Sequence, residues 1–255
     1  MTLPFDNLPA GKKIYFVSDF HLGVPNYDSS LEREKKIVRW LSIVEKDAEA
    51  IFLMGDVFDF WFEFKHVIPK GFIRLQGKLA EITDKDIPIY WFTGNHDMWI
   101  FDYFTKELNI KIFRDPEVLV LNNKKLYIGH GDGLGPGDHI YKAIKKIFRN
   151  RFFQEWFRVT PASIGMGIAK FWSNSSRISG LKKEKFLGDK EWLFIYSKEL
   201  ESKTHHDYYI FGHRHLPLDL EINSNSRYIN LGEWVNHFTY AVFDGNQVRL
   251  LEYKE

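Results

Sequence analysis

Residues 50–61, AIFLMGDVFDFW, place an apolar run directly before a Gly-Asp pair. Residues 51–54 have the length and apolar character of a buried β-strand, and glycine beside aspartate is typical of a turn. The stretch therefore predicts a strand over 51–54, with the carboxylate of Asp56 just beyond its end. Gly55 fits a tight turn in which the backbone can approach a bound ion.

The same design appears in four other parts of the chain. In each, an apolar run leads into a loop that contains glycine together with His, Asp or Asn. The stretches are KIYFVSDFHLG (13–23), PIYWFTGNHD (88–97), KLYIGHGD (125–132) and DYYIFGHRH (207–215). Helical patterns at about 31–45 and 71–85 separate the first strands, and alternating strands with a DGN hairpin signal end the chain. The chain is therefore predicted to adopt a layered α/β fold.

The predicted strand ends carry polar side chains of types that bind metals. They are Asp19, His21, Asp56, Asn95, His96, His130, His213 and His215. A catalytic pair of divalent ions uses oxygen and imidazole ligands, with one carboxylate bridging both ions. Because side chains alternate along an extended segment, Asp19 shares a face with His21, and His213 with His215. A single such histidine is more often structural, but the repetition after successive strands favours a metal centre.

The ordered set D-x-H, G-D, G-N-H-D, G-H and G-H-x-H resembles the motifs of the calcineurin-like metallophosphoesterase superfamily over nearly the whole chain. The resemblance implies two mixed β-sheets packed as a sandwich with flanking helices, and two metal ions at the strand ends. It implies that the first ion is bound by Asp19, His21, Asp56 and His215. It implies that the second is bound by Asp56, Asn95, His130 and His213, with Asp56 bridging.

Two residues beside the expected ligand Asn95 are candidate catalytic groups. His96 is expected to donate a hydrogen bond to the phosphoryl oxygens or to protonate the leaving group. Asp97 is expected to fix the tautomer of the His96 imidazole from behind. The alternative for Asp97 is a carboxylate that only begins a helix and has no catalytic part.

Residues 133–195 interrupt the alternation with a helical, aromatic and basic segment. We interpret them as a cap inserted into a core formed by 1–132 and 196–255. On a helix drawn through 139–152, apolar side chains share one side and basic side chains the other. The apolar ones are Ile140, Ile144, Ile147 and Phe148, and the basic ones are Lys142, Lys145, Lys146 and Arg149. A solvated helix face would explain the lysines alone, whereas an amphiphilic phosphorylated substrate or an anionic membrane would explain both faces.

Within the superfamily, SDFHLG, GDVFDFW and HGD-x-L…D-x-x-Y resemble the UDP-2,3-diacylglucosamine diphosphatases of lipid A synthesis. That resemblance implies manganese-dependent hydrolysis of the pyrophosphate in UDP-2,3-diacylglucosamine, a lipid-linked nucleotide sugar, to UMP and 2,3-diacylglucosamine 1-phosphate. It also implies a helical cap that takes up acyl chains. The substrate contacts that it implies are Asn95, His96, Asp138, Tyr141, Ser173, Asn174 and Arg177.

One position departs from that pattern. The best-known branch of the family has arginine where this chain has His96. The departure leaves the metal chemistry untouched but keeps another substrate open, such as a nucleotide, a dinucleoside polyphosphate or a phosphoprotein. A non-catalytic scaffold of this fold typically loses metal ligands, and every expected ligand type is present here.

The amino-acid composition argues against several other classes of protein, metal site and partner. The 255 residues include no cysteine, which excludes a disulfide scaffold and any thiolate metal site. The net charge of +1, from 35 basic and 34 acidic residues, is a poor footprint for nucleic acid, and no such partner is expected. No apolar run reaches the roughly 20 residues that span a bilayer. We therefore expect a cytoplasmic protein with peripheral contact at the inner membrane.

Overall fold

The computed structural model describes residues 6–137, 139–163, 165, 167 and 185–255. Four of the expected substrate contacts lie outside these residues, namely Asp138, Ser173, Asn174 and Arg177. The other predicted site residues are all described.

Six strands form the first sheet. They are β1 (Lys13–Val17), β2 (Ala48–Leu53), β3 (Ile89–Phe92), β4 (Lys111–Phe113), β10 (Thr239–Phe243) and β11 (Val248–Glu252). Their spatial order is β11-β10-β1-β2-β3-β4. Strands β1 to β4 are parallel, whereas β10 runs antiparallel to both β1 and β11. The apolar runs seen in the sequence become β1, β2 and β3, which are buried over nearly their whole length.

Five strands form the second sheet. They are β5 (Glu117–Leu121), β6 (Lys124–Ile128), β7 (Tyr208–Phe211), β8 (Pro217–Asn223) and β9 (Ser226–Leu231). Their order is β5-β6-β7-β9-β8, with β6, β7 and β9 parallel and the two edge strands antiparallel. Both sheets are therefore mixed, which confirms the predicted fold class.

The two sheets pack face to face through one apolar core, to which Phe16, Phe52, Phe92, Leu126, Ile210 and Ile229 all contribute. The helices are α1 (Tyr27–Val44), α2 (Ile73–Thr83), α3 (Tyr103–Leu108), α4 (His139–Phe148), α5 (Arg151–Arg158) and α6 (Trp192–Glu201). Helices α1 to α3 cover the outer face of the first sheet, and α6 covers that of the second. Burial on both faces explains why the central strands read as continuous apolar runs.

The first two helices begin in different ways. At the start of α1, the side chain of Asn26 accepts a hydrogen bond from the amide of Ser29 at 2.9 Å. Helix α2 follows Phe72, whose apolar side chain cannot cap it, and instead the Glu34 carboxylate of α1 accepts the amides of Arg74 and Leu75 at 2.8 and 3.0 Å. The charged cap satisfies two amides that no intrahelical carbonyl can reach. Helix α1 therefore fixes where α2 starts.

Helices α4 and α5 lie between β6 and β7 in the chain and pack near the strand ends. Nε1 of Trp99 donates to the carbonyl of Phe148 at 3.0 Å, and the ring of Phe157 packs 4.7 Å from that of Phe62. Helix α6 runs from Trp192 to Glu201 and therefore includes residue 195, the predicted end of the insert. Its residue Leu193 packs on the second sheet. The division into core and cap stays a prediction.

Among the described residues, no helix combines the length and the apolar character needed to cross a membrane.

Candidate active site

The predicted loops follow β1, β2 and β3 in one sheet and β6 and β7 in the other. Because neighbouring parallel strands end at the same edge, these loops converge. Several of their residues adopt left-handed backbone angles, with φ between 45° and 67°, namely Asp19, His21, Asp56, His213 and His215. Such angles cost energy for residues other than glycine and cluster at functional sites. Backbone strain therefore marks the same edge that the sequence motifs mark.

The first ligand group consists of Asp19, His21, Asp56 and His215, with one ligand atom of each within 4.8 Å of the others. Oδ1 of Asp19 lies 3.2 Å from Nε2 of His215 and 3.6 Å from Nε2 of His21. The two Nε2 atoms are themselves 3.0 Å apart. The structure brings together the residues expected to bind the first ion.

The second ligand group contains Asp56, His130 and His213, whose ligand atoms satisfy the same 4.8 Å limit. Oδ2 of Asp56 is 3.4 Å from Nε2 of His130 and 3.9 Å from Nε2 of His21, so this carboxylate faces both groups. Oδ1 of Asn95 lies 3.3 Å from Nε2 of His130. The residues expected around the second ion are therefore also neighbours, with Asp56 between the two groups.

The arrangement fits divalent cations. Oδ1 of Asp19 is buried and receives no hydrogen bond of good geometry from any residue that the structure describes. An uncompensated buried carboxylate oxygen is costly unless a cation balances it. Nδ1 of His130 donates to the carbonyl of Met54 at 2.8 Å, so Nε2 is the ring atom that can bind a metal, once a cation displaces the proton from it. Carboxylate, amide and imidazole donors together suit a divalent metal.

Burial and neighbouring charges together determine the pKa values of the site's acids and bases. Burial raises the pKa of Asp19, but the neighbouring histidine rings outweigh burial and hold this pKa well below its usual range. Burial lowers the pKa of His213 to about 4, with the charge of His130 adding to the effect. Burial also lowers the pKa of His130, but the Asp56 carboxylate outweighs it and raises this pKa to about 10. Ionised carboxylates and a neutral His213 are the forms that bind a cation.

Two loop positions have room only for glycine. A Cβ at Gly94 would lie 2.1 Å from Oδ1 of Asp56. A Cβ at Gly212 would lie 2.0 Å from Oγ of Ser18 and 2.4 Å from Oδ2 of Asp19. All three separations are far inside van der Waals contact, so the absence of a side chain allows the loops to approach the ligands.

His96 and Asp97 are placed differently from each other. Nδ1 of His96 donates to the carbonyl of Asp59 at 2.8 Å. The carboxylate of Asp97 accepts the amide of Gly94 at 2.7 Å and that of Val57 at 2.9 Å. The structure corrects the expectation that Asp97 orients the His96 ring, because the Asp59 carbonyl does so and the Asp97 oxygens are engaged by the backbone. Burial, with a neighbouring carboxylate adding to it, raises the pKa of Asp97 to about 7.

Helix α4 is tied to the loop that carries His130. The hydroxyl of Tyr141 donates to Oδ2 of Asp132, and Nζ of Lys145 is 2.6 Å from the same oxygen. Burial raises the pKa of Asp132, but the Lys145 ammonium outweighs it, and this pKa lies below its ordinary value. Nζ of Lys142 donates to the carbonyl of Gly135 at 2.5 Å. Tyr141, an expected substrate contact, therefore lies at the metal-ligand loop.

A cavity of about 380 Å³ separates α4 from the strand ends. His130, Asp132 and Arg114 line one side, and Lys142, Lys145, Lys146 and Arg149 of the α4 segment line the other. The basic side of α4 consequently faces the candidate site and is not simply a solvated surface.

Other residues of the site carry weaker signals in the sequence. Asp59 forms a third group with His21 and His96, within the same 4.8 Å limit, and its position in the loop after β2 is a signal that the motif GDVFDFW contains. Glu191 and Arg214 form a buried ion pair beside the ligands His213 and His215. Their separation along the chain, from residue 191 to residue 214, leaves no local pattern that predicts the pair.

Sequence comparison agrees with this geometry. The family model for calcineurin-like phosphoesterases matches residues 12–217, which include every residue of both ligand groups. The chain belongs to this family, and the family match together with the ligand groups makes it a metal-dependent hydrolase.

More specific similarity comes from individual relatives. The UDP-2,3-diacylglucosamine hydrolase of Porphyromonas gingivalis (strain ATCC BAA-308 / W83) is 36% identical over 93% of this chain and 96% of its own length. The protein of the same name from Proteus mirabilis (strain HI4320) is 26% identical over 93% of this chain and 98% of its own. Among solved structures, Yfce, a phosphoesterase from E. coli, is similar at 16% identity with a TM-score of 0.43, covering 94% of this chain and 92% of that one.

Proposed function

We propose that this protein hydrolyses the pyrophosphate bond of UDP-2,3-diacylglucosamine, releasing UMP and 2,3-diacylglucosamine 1-phosphate for lipid A synthesis. The observation that carries the proposal is the similarity to the P. gingivalis hydrolase, at 36% identity over 93% of this chain. The grouping of carboxylates and imidazoles at the strand ends supplies the chemistry that such a hydrolase needs.

The proposed cofactor is a pair of Mn²⁺ ions. Asp19, His21, Asp56 and His215 would hold one ion, and Asp56, Asn95, His130 and His213 the other. When bound, such ions activate a water molecule as nucleophile and stabilise charge on the phosphoryl oxygens.

The chain's own residues then have distinct tasks. Because Nδ1 of His96 already donates to the Asp59 carbonyl, Nε2 can donate to a phosphoryl or leaving-group oxygen only when the ring carries both protons. We assign His96 this role. Tyr141 and Lys145 both contact Asp132 in the His130 loop, and their hydroxyl and ammonium groups would bind the glucosamine phosphate. The expected contacts Asp138, Ser173, Asn174 and Arg177 remain part of the proposal although they lie outside the described residues.

We also propose that residues 133–195 act as a cap that binds the acyl part of the substrate and contacts the cytoplasmic face of the inner membrane. Helix α5 supports this role because Phe152 is 74% exposed and Trp156 is 65% exposed. Large aromatic side chains insert favourably at a membrane interface, and basic residues nearby favour anionic lipid. Arg151, which begins α5, is also exposed.

The test is release of UMP from UDP-2,3-diacylglucosamine by the protein loaded with Mn²⁺, measured beside an analogue that lacks the acyl chains. We expect hydrolysis of the acylated substrate with a kcat/KM at least about tenfold above that of the deacylated analogue, since buried acyl chains contribute binding energy. Cyclic nucleotides, dinucleoside polyphosphates and a phosphopeptide serve as the comparison panel. Preference for any of these over the acylated substrate would reject the proposal and favour another phosphoester.

A further inference from the structure

A buried ion pair joins the loop between β7 and β8 to the start of α6. Nε of Arg214 donates to Oε1 of Glu191, and Nη2 of Arg214 lies 3.2 Å from Oε2. Glu191 is fully buried, and Arg214 is 6% exposed. The guanidinium also lies over the ring of Trp192, 4.0 Å from its centroid. Both carboxylate oxygens are engaged, as in the strong bidentate geometry of arginine with a carboxylate.

The ion pair bears on the candidate metal site because of the position of Arg214 in the sequence. Arg214 lies between His213 and His215, which belong to the second and first ligand groups respectively. Both histidines have left-handed backbone angles, with φ of 67° and 52°. Strained residues keep such angles only where the surroundings hold them. Two contacts restrain this turn: the His213 amide donates to Oδ2 of Asp19 at 3.0 Å, and the Arg214 side chain between the two ligands is fixed at its far end by Glu191.

The same turn of α6 also contacts the loop that carries His130. A Cβ at Gly135 would lie 2.6 Å from the carbonyl oxygen of Trp192, and a Cβ at Gly131 would lie 2.9 Å from Cδ1 of Leu193. Residues 191–193 therefore pack against the loop after β6 and hold the loop after β7 through Arg214. These two loops supply both histidines of the second ligand group.

We propose that Glu191 and Arg214 are positioning residues for the metal centre. Arg214, anchored by Glu191, holds His213 and His215 at the angles from which both bind metal. The start of α6 thereby links the cap segment to the ligands. The inference rests on the ligand assignment proposed above and not on the identity of the substrate.

The experiment measures Mn²⁺ binding to the metal-free full-length protein by titration calorimetry, with electron paramagnetic resonance of the loaded protein as a second readout. The variants are Glu191→Gln, Arg214→Met and the double variant Glu191→Leu/Arg214→Met. We expect each to weaken Mn²⁺ binding about tenfold or more, the range seen when groups that orient metal ligands are removed. Glu191→Gln is informative because Glu191 contacts neither histidine in the described hydrogen bonds.

The double variant keeps the proposal testable if single variants fold poorly. Removing one partner leaves a buried charge uncompensated, whereas replacing both with apolar residues is often neutral for folding. A double variant with a wild-type melting temperature should still lose the resonance signal of coupled Mn²⁺ ions. Arg227→Met, which breaks the exposed pair with Asp219 in the same sheet, is the matched control and should bind Mn²⁺ normally.

The possible results distinguish among three claims: the positioning role, the ligand assignment and the proposed substrate. A folded double variant that binds Mn²⁺ as tightly as the wild type, with the same resonance signal, would reject the positioning role. Wild-type protein that binds no Mn²⁺ would reject the ligand assignment itself. Normal Mn²⁺ binding by the wild type without UMP release would reject only the proposed substrate.

Discussion

Asp56 is the residue on which both ligand groups depend. Its Oδ2 atom lies near Nε2 of His130 on one side and Nε2 of His21 on the other, at 3.4 and 3.9 Å. Replacing Asp56 with asparagine removes the charge of the carboxylate and leaves the size of the side chain nearly unchanged. A substitution of Asp56 is therefore the most direct single-residue test of the metal centre.

We expect Asp56→Asn to lower kcat by more than about 100-fold, because the two proposed cations would lose the charge that they share. Bound metal per protein, measured by mass spectrometry after dialysis, should fall with it. Asp219→Asn is the matched control, since Asp219 is exposed and pairs only with Arg227 among the contacts described. Full activity of Asp56→Asn with undiminished metal would contradict the assignment.

The glycines give a second prediction at this scale. In Gly212→Ala the new Cβ would collide with Ser18 and Asp19, so we expect a loss of about 1–3 kcal/mol of unfolding free energy together with weaker metal binding. Gly77→Ala is the matched variant, because Gly77 lies inside α2 with nothing within 4 Å of its ideal Cβ. It should gain about 0.5–1 kcal/mol, since alanine is the better helix former. Denaturant unfolding measures both; equal effects would show that the loop at Gly212 tolerates a side chain.

Individual residues also show what sequence can and cannot predict. The grouping of the candidate ligands at one edge was predictable because each follows a buried strand within a few residues, and strand direction then brings the loops together. The partner of His96 was not, because a backbone carbonyl, that of Asp59, orients the ring, and a carbonyl leaves no mark in the sequence. The pair of Glu191 and Arg214 was missed because it is formed by tertiary packing.

At the scale of elements, the end of α6 is joined to the second sheet by one carboxylate. Glu201 accepts hydrogen bonds from the His206 amide at 2.9 Å, the Tyr209 hydroxyl at 2.8 Å and the Asn223 side chain at 3.1 Å, and its ion pair with His205 measures 2.7 Å. Burial raises the pKa of Glu201, but these contacts outweigh it and lower the pKa from 4.5 to about 2. The ionised form is therefore favoured in the folded state.

Such a lowered pKa makes a prediction about acid stability. The contribution of Glu201 is complete above its unfolded pKa of 4.5 and is lost as the pH falls towards the folded value of about 2. We expect Glu201→Gln to be less stable than the wild type at neutral pH, and the difference to shrink as the pH falls through this window. Urea unfolding at a series of pH values measures it, with the exposed Glu199→Gln as control. If the stability difference between Glu201→Gln and the wild type did not change with pH, the charge of Glu201 would not be what stabilises these contacts.

Helix α4 shows which of its features the sequence pattern predicts and which depend on tertiary packing. The amphipathic pattern over 139–152 indicated one helix, and the structure has α4 over His139–Phe148 with a second helix, α5, beginning at Arg151. The direction of its basic face depended on Asp132, whose carboxylate attracts Lys145 and Tyr141 from the neighbouring loop. Periodicity gives the two sides of a helix, but only the tertiary neighbours determine which side meets the active site.

At the scale of the whole molecule, the alternation of strands and helices predicted a layered α/β fold, and the family motifs implied two mixed sheets. The outer face of the second sheet is covered by α6, which precedes β7, β8 and β9 in the chain but is separated from β5 and β6 by the segment that contains α4 and α5. The predicted cap boundary at residue 195 falls inside this helix, and the packing of Leu193 on the second sheet leaves no local pattern in the sequence.

The exposed aromatic residues of α5 give the last prediction, which concerns the molecule and its surroundings. Phe152 is 74% exposed and Trp156 65% exposed, on a helix that also presents Arg151. If this surface inserts into the membrane interface, the double variant Phe152→Ser/Trp156→Ser should sediment with anionic phospholipid vesicles at least about tenfold less strongly than the wild type. Ile73→Ser is the matched control, because Ile73 is 77% exposed on α2, which is outside residues 133–195. Hydrolysis of a water-soluble phosphodiester should be unchanged in both variants, since neither touches a ligand group. Equal vesicle binding by the wild type and the double variant would exclude α5 as the membrane contact and restrict its aromatic residues to binding acyl chains.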